Sequence, residues 1–143
     1  MASKSKICFF FEHKKIRLEN RNKLKTFIES IFKKEKKRLS SINYIFCSDK
    51  KLLEINRRFL KHDFYTDIIT FNLSETNSAQ AEIYISVDRV KDNAKKINTF
   101  IKLELHRVIF HGVLHLCGYK DNGKREKVKM RRREDYYLKY YLK

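Results

Sequence analysis

The sequence lacks proline and tryptophan, has only three glycines, and contains no long hydrophobic run. A helix that crosses a membrane needs about 18 or more consecutive apolar residues, so none is expected here. The apolar stretch at 7–11 is too short for the core of a signal peptide, and no small-residue cleavage site follows it. We therefore expect a cytoplasmic protein. Because no Pro- or Gly-rich linker interrupts the chain, we also expect one domain, residues 1–143.

Cysteine is scarce as well, with Cys8, Cys47 and Cys117 as the only three. An odd number in a chain without an export signal argues against a disulfide framework. No two of them form a CxxC pair, which excludes a zinc ribbon and a thioredoxin-like redox site. Cys8 and Cys47 lie within apolar runs, so we expect both to be small buried side chains.

Acidic residues are few: 17 Asp and Glu stand against 34 Lys and Arg, for a formal charge of +17. Such an excess repels itself unless a polyanion is near, and nucleic acid is the natural partner, with an anionic membrane surface second. A compositional bias of the source genome is the alternative. Hydrophobic residues make up 42% of the chain, which argues against disorder.

The hydrophobic pattern predicts the element order β-α-β-α-β-β-α-α-α. The first β-α-β unit predicts a parallel strand pair with a right-handed crossover, and the adjacent third and fourth strands predict an antiparallel pair. The expected fold class is α+β, a mixed four-stranded sheet packed with helices. Strands are predicted at 6–12, 42–47, 68–73 and 81–86, and helices at 20–38, from Asp49 as cap, from Ser86 or Asp88, at 100–117 and at 122–142.

Two histidines on the most apolar helix form the candidate metal site. His111 and His115 are four residues apart, so they share a helix face and can meet one ion. Gly118 is expected to end the helix in a left-handed turn that brings Asp121 to the same ion. Three ligands leave a position open for water, the arrangement of catalytic zinc, and metal-bound water is a nucleophile. Gly112 stands where HExxH proteases carry their basic Glu, so the site is predicted to be hydrolytic but not proteolytic.

Other residues near this motif have simpler predicted roles. Gly112 removes bulk, which would let a backbone or a substrate approach closely. Glu104 shares a helix face with His111 but lies two turns away, so it could only orient a ligand. His106 lies about 140° around the helix from His111 and is expected to be a packing or surface residue. The residues alone indicate no general base.

Two stretches resemble the bacterial YbeY family of endoribonucleases and rRNA maturation factors. The first is His-Gly-Val-Leu-His-Leu-x-Gly-Tyr, which begins at His111. In the second, Asn56, Phe59, Asp63 and the run at 66–71 are similar to the family block N-x-x-[YF]-R-x-x-D-x-x-T-[DN]-V-L-S-F. The resemblance spans roughly residues 40–140. It implies a zincin-like fold and a single-strand-specific, metal-dependent endoribonuclease that acts on 16S rRNA of the small ribosomal subunit, in 3′-end maturation and ribosome quality control.

The resemblance also implies a ligand set. The family's first two ligands fall on His111 and His115, but its motif usually ends Gly-Tyr-Asp-His, whereas Lys120 and Asp121 stand here. One Zn²⁺ held by two histidines and Asp121 is therefore expected. Because a carboxylate is a harder ligand than imidazole, Mn²⁺ and Fe²⁺ are further candidates.

The RNA-binding residues are less strongly indicated. The family's Arg after the aromatic falls on Leu60, so Arg57, Arg58 and Lys61 are the neighbours expected to replace it. The last helix offers a second basic group, with Lys124, Arg125, Arg131 and Arg132 among its members, and tyrosines beyond it at 136, 137, 140 and 141 that either stack bases or pack against the core. The alternative to an enzyme is a non-catalytic RNA-binding ribosome-assembly factor with a structural metal site. The open coordination position favours the enzyme.

Overall fold

The computed structural model describes residues 5–13 and 15–143; residues 1–4 and Lys14 lie outside the described part. The described residues form four strands and five helices in the predicted order. They are β1 (Ile7–Phe11), α1 (Arg21–Lys34), β2 (Arg38–Cys47), α2 (Asp49–Phe59), β3 (Ile68–Asn72), β4 (Ser78–Ser86), α3 (Val87–Lys96), α4 (Ile101–Leu116) and α5 (Lys124–Tyr141).

The strands form one mixed sheet in the order β1-β2-β4-β3. β1 and β4 both run parallel to β2, whereas β3 runs antiparallel to β4. The predicted parallel first pair, antiparallel last pair and α+β class are confirmed. The position of β4 between β2 and β3 makes β3 an edge strand, directly beside the helix that carries the two histidines.

The two faces of the sheet bury different layers, because successive side chains of a strand point to opposite sides. The larger face packs with α1, α4 and α5 into the main core, which includes Tyr44, Phe46, Ile83 and Ile85. The opposite face carries a smaller cluster of Cys47, Leu52, Ile55 and Ile69 under α2. Burial of one large apolar side chain contributes about 1.5–3 kcal/mol, so the main core dominates stability.

The end of α1 differs from the prediction. The helix ends at Lys34 rather than at 38, because Glu35 caps it and Lys36 adopts a left-handed conformation with φ of 59°. The Lys37 amide then donates to the Phe32 carbonyl at 2.9 Å. Arg38 already belongs to β2, where it pairs with the first residue of β4. The basic run is therefore a helix end, a turn and a strand start rather than one helical tail.

Ser48, not Asp49, caps α2: its hydroxyl accepts the Lys51 amide at 3.1 Å. Asp49 instead forms an ion pair with Arg89 at 2.7 Å, which connects α2 to α3. Ser86 caps α3 by accepting the Arg89 amide at 3.1 Å, so the first of the two predicted starts is confirmed.

Glycines define how α4 sits and ends. Gly118 has a φ of 103°, and the next amide, Tyr119, donates to the Leu114 carbonyl at 3.0 Å, which confirms the predicted left-handed turn. Gly112 is buried against the sheet, where an added Cβ would lie 3.0 Å from Ile83 Cδ1 and 3.1 Å from Ile68 Cδ1. Its small size therefore lets the sheet approach the helix closely, so protein rather than a substrate occupies the space beside it.

The described residues contain neither a membrane-spanning helix nor a disulfide bond. None of the helices in residues 5–13 and 15–143 is long and apolar enough to cross a membrane. All three cysteines are free thiols; Cys47 and Cys117 are buried and Cys8 is half-buried. The prediction of a small buried side chain therefore holds fully for Cys47 and in part for Cys8.

Candidate active site

A cleft of about 710 Å³ opens between the start of β3, α4 and α5. β3 and the residue pair before it contribute Thr66, Asp67 and Ile68. Helix α4 contributes Glu104, Arg107 and His111, and the turn after it contributes Asp121. The far wall is α5, with Lys127, Met130, Arg131, Arg132, Glu134 and Asp135.

His111 is held between two carboxylates. Its Nδ1 lies 2.7 Å from Glu134 Oε2, and its Nε2 lies 3.4 Å from Asp121 Oδ2. Glu134 is buried, so its hydrogen bond fixes the orientation of the ring and assigns the donor hydrogen to Nδ1. A carboxylate behind one nitrogen, with the other nitrogen directed toward the cleft, is the arrangement common to metal-binding histidines.

The charges around His111 attract a cation. Burial alone would lower the pKa of His111, but the hydrogen bond and charge of Glu134, with the charges of Asp121 and Asp67, raise it above its ordinary value. Three carboxylates around one imidazole favour added positive charge, either as a proton or as a metal ion. The donor types present thus fit a divalent cation.

The remaining wall of the cleft holds buried ionisable groups. Burial raises the pKa of Asp67, although the positive charge of His111 opposes the shift. Burial also raises the pKa of Glu104, against the opposing charge of Arg107. Glu104 does not hold His111; Glu134 does, and Glu104 pairs with Arg107 instead, with 3.7 Å between Oε1 and Nε.

Arg107 is the cation that α4 contributes to the cleft. Its Nη1 lies 2.8 Å from Asp135 Oδ1 and 3.3 Å from Glu134 Oε1, so it connects α4 to α5 beside the His111 support. Arg107 Nε and Glu104 Oε1 are buried, and within the described residues neither has a hydrogen-bond partner. Neither Arg107 nor Glu134 was predicted. Glu134 lies 23 residues from His111, beyond any short motif, whereas Arg107 lies four residues before His111, and that helical spacing could have placed it on the same face.

The structure brings two of the three predicted ligands together. His111 and Asp121 face each other, whereas His115 is exposed one turn further along α4 and does not line the cleft. No group of three or more His, Cys, Asp or Glu side chains in the described part of the chain is close enough together to hold a metal ion. The three-ligand site therefore stays a prediction, supported by donor type and by the shared face of α4.

The comparisons with known proteins agree with one another. The family model for endoribonuclease YbeY matches residues 8–142. The chain belongs to this family. An endoribonuclease YbeY of Cytophaga hutchinsonii is 52% identical over 130 residues, which cover 90% of this chain and 91% of that protein. One from Christiangramia forsetii is 43% identical over 132 residues, with 92% of each covered. The solution structure of TM1509 from Thermotoga maritima has a TM-score of 0.64 at 30% identity and covers 94% of this chain and 88% of that chain.

The basic residues predicted to bind RNA lie in two regions of this YbeY-family chain. Arg131 and Arg132 line the cleft, whereas Lys124 and Arg125 are exposed at the first turn of α5 and lie outside its lining. Arg57, Arg58 and Lys61 are exposed at and just beyond the end of α2, where Arg57 pairs with Asp63. Leu60, at the place of the family's Arg, is the C-terminal cap of α2.

The remaining histidine and tyrosine predictions are largely resolved by packing. His106 is buried, stacks on Tyr141 with ring centroids 5.2 Å apart, and places Nδ1 2.7 Å from the Lys102 carbonyl oxygen, so its packing role is confirmed. Tyr137 and Tyr141 are buried in the core, whereas Tyr136 is half-buried and Tyr140 is exposed. Only the last two remain accessible to RNA bases.

Proposed function

We propose that this chain is a metal-dependent endoribonuclease that hydrolyses phosphodiester bonds in single-stranded RNA. The observation that carries the proposal is His111, oriented by buried Glu134 and facing Asp121 in an open cleft. Membership of the YbeY family and the charge of +17 support an RNA substrate. We further propose that the substrate is the 16S rRNA of the small ribosomal subunit, in 3′-end maturation and ribosome quality control.

The ligand residues proposed for the cation are His111, His115 and Asp121. When bound, a divalent cation supplies positive charge that stabilises the phosphodiester oxygens and acidifies water. Glu134 holds the His111 ring in one orientation, which reduces the entropy lost when a ligand binds there. Arg107 in turn holds Glu134, because its guanidinium pairs with the carboxylates of both Glu134 and Asp135.

Basic side chains on α5 are proposed to hold the RNA backbone. Lys127, Arg131 and Arg132 line the cleft from α5, the helix that also carries Glu134. Each can pair with a phosphate, while the acidic groups around His111 repel phosphate and attract a cation. The two kinds of group adjoin each other in the cleft, since Arg131 Nη1 lies 4.0 Å from Glu134 Oε1, so a backbone phosphate held there would lie close to the cation.

Cleavage of a labelled single-stranded RNA by metal-loaded protein tests the proposal. We expect His115→Ala to lose about 100-fold or more in rate, the scale of losing one group that stabilises the transition state. Glu75→Gln, at an exposed position between β3 and β4, is a control that keeps full activity, whereas Asp121→Asn loses both activity and bound metal measured by mass spectrometry.

The same experiment separates the rival functions. Equal residual cleavage by the wild type and by His115→Ala would identify a contaminating nuclease and reject the enzyme. Tight RNA and metal binding without any cleavage would instead favour the assembly factor with a structural metal. Full metal occupancy in Asp121→Asn would remove Asp121 from the ligand set.

A further inference from the structure

The segment between α2 and β3 exposes several large aromatic side chains. Phe59, Phe64 and Tyr65 have relative exposures of 63%, 56% and 54%, and we call these three residues the aromatic platform. Large aromatic residues are usually mostly buried, and several exposed ones close together indicate a binding surface. Scattered single residues would carry no such meaning, but these three lie within seven positions.

A buried side chain holds the segment in shape. Asn56 is only 1% exposed, and its Nδ2 donates to the Phe64 carbonyl at 2.8 Å. The main-chain carbonyl of Asn56 accepts a hydrogen bond from the His62 amide at 3.0 Å. The His62 ring stacks on Phe64 with centroids 5.1 Å apart. The aromatic groups are thus presented in a defined arrangement, which lowers the ordering cost of binding a ligand.

The charges beside the aromatic platform suit a polyanion. Arg57 and Arg58 on α2 and Lys61 just after it are all exposed. On the other side, the Arg89 guanidinium lies 5.1 Å from the centre of the Tyr65 ring. Exposed aromatic faces among cations are the surface that binds single-stranded nucleic acid, since bases stack on the rings and phosphates pair with the cations. A duplex hides its base faces and gains little from such rings.

The aromatic platform continues into the cleft. Only one residue separates Tyr65 from Asp67, and Thr66, Asp67 and Ile68 all line the cleft beside His111. The Cα atoms of Tyr65 and Asp67 can be at most about 7 Å apart. A strand whose bases stack on the platform therefore enters the cleft within a short distance.

We propose that Phe59, Phe64 and Tyr65 stack bases of single-stranded RNA and lead the strand into the cleft. The inference deepens the proposed function and rests on it. Phe59 stands at the aromatic position of the family block, whereas Phe64 and Tyr65 occupy positions that the block leaves unspecified. The aromatic platform supplies a physical basis for preferring single strands over duplexes.

Binding of a fluorescent single-stranded oligoribonucleotide, followed by anisotropy, tests the platform. The Phe64→Ala/Tyr65→Ala double variant should bind about 10- to 100-fold more weakly, since each stacked base is worth roughly that much in affinity. Phe64→Tyr/Tyr65→Phe should retain affinity. Phe100→Ala removes an aromatic side chain that is 83% exposed at the start of α4 and serves as the matched control without effect. Duplex affinity should change much less.

The outcomes distinguish the platform from the proposed function. His115→Ala should bind the oligonucleotide normally but not cleave it, whereas the double variant should raise KM and keep kcat. If the double variant has normal thermal stability and unchanged affinity for the single strand, the platform does not bind RNA, and the surface would instead suit a protein partner. Cleavage by the wild type would still support the proposed function. A wild type that binds but does not cleave, with weaker binding by the double variant, would support the platform and reject the enzyme.

Discussion

Among single residues, Glu35 connects three parts of the chain through one carboxylate. It accepts hydrogen bonds from Tyr119 at 2.8 Å, from Arg133 Nη2 at 2.8 Å and from Tyr137. Burial would raise the pKa of Glu35, but the hydrogen bonds from Tyr137, Arg133 and Tyr119 outweigh it and hold the pKa below its ordinary value. Tyr119 precedes Asp121 by two residues, so the end of α1 helps to position the turn beside His111.

Glu35→Gln should therefore destabilise the protein in a pH-dependent way. Charged hydrogen bonds contribute about 1.5–3 kcal/mol, so we expect a loss of about 2 kcal/mol at pH 7 in urea denaturation. A carboxylate with a lowered folded-state pKa stabilises the fold above its unfolded pKa and loses that contribution as the pH falls through the folded pKa. The difference from the wild type should shrink as the pH falls below the pKa of a glutamate in the unfolded chain, about 4.3. Glu29→Gln, on the same helix, is the control, and a difference that stays constant with pH would refute the explanation.

At the scale of elements, the approach of α4 to the sheet depends on Gly112. Ile83 of β4 and Ile68 of β3 contact the space that a Cβ would need. The same approach brings His111 to the edge strand β3 and its preceding Asp67. A larger side chain at position 112 would therefore increase the distance between α4 and the sheet.

Gly112→Ala should lower the stability and weaken the site at once. Overpacking costs about 1–3 kcal/mol, which exceeds the gain of about 1 kcal/mol that Ala brings to a helix. Combining it with Ile83→Val removes the nearest methyl group, Cδ1, so the two losses should be less than additive in a double-mutant cycle. Strict additivity in chemical denaturation would show that helix and sheet are not in the close contact described.

For the whole molecule, the distribution of charge matters more than the total of +17. Carboxylates gather around His111, and Lys127, Arg131 and Arg132 line the same cleft from α5, with Arg131 Nη1 4.0 Å from Glu134 Oε1. The fold thus turns a uniformly basic composition into an acidic centre with basic surroundings. RNA binding should depend on the surroundings, because phosphates are repelled by the centre.

The salt dependence of RNA affinity measures how much the basic residues around the acidic centre contribute to binding. Each phosphate contact with a single strand contributes a slope of about −0.7 in log K against log salt. Arg131→Ala/Arg132→Ala should reduce the slope by roughly 1.4, since two contacts are lost. Lys95→Ala/Lys96→Ala, at the end of α3, removes the same charge elsewhere and should have a smaller effect. Equal reductions of the slope by the two double variants would mean that RNA affinity depends on the net charge and not on where the charges lie.

Several features were predictable because they depend on residues close in the chain. The amphipathic pattern predicted all nine elements in order, and the Gly118 turn placed Asp121 opposite His111 only ten residues earlier. Boundaries were less predictable where a partner strand decides them. β2 extends back to Arg38 and β4 to Ser78 because the two strands pair with each other there. The hydrophobic pattern of one strand alone carries no information about that pairing.

The sequence by itself determined the family, the α+β class and the pair His111 and His115 on one helix face. Only the tertiary structure decided what surrounds them: Glu134 behind His111 and Arg107 between two helices. It also decided that His115 lies exposed outside the cleft. The physical reason is distance along the chain. Helical periodicity and turns act over a few residues, whereas the Glu134 contact joins residues 23 positions apart and exists only once α5 packs on α4.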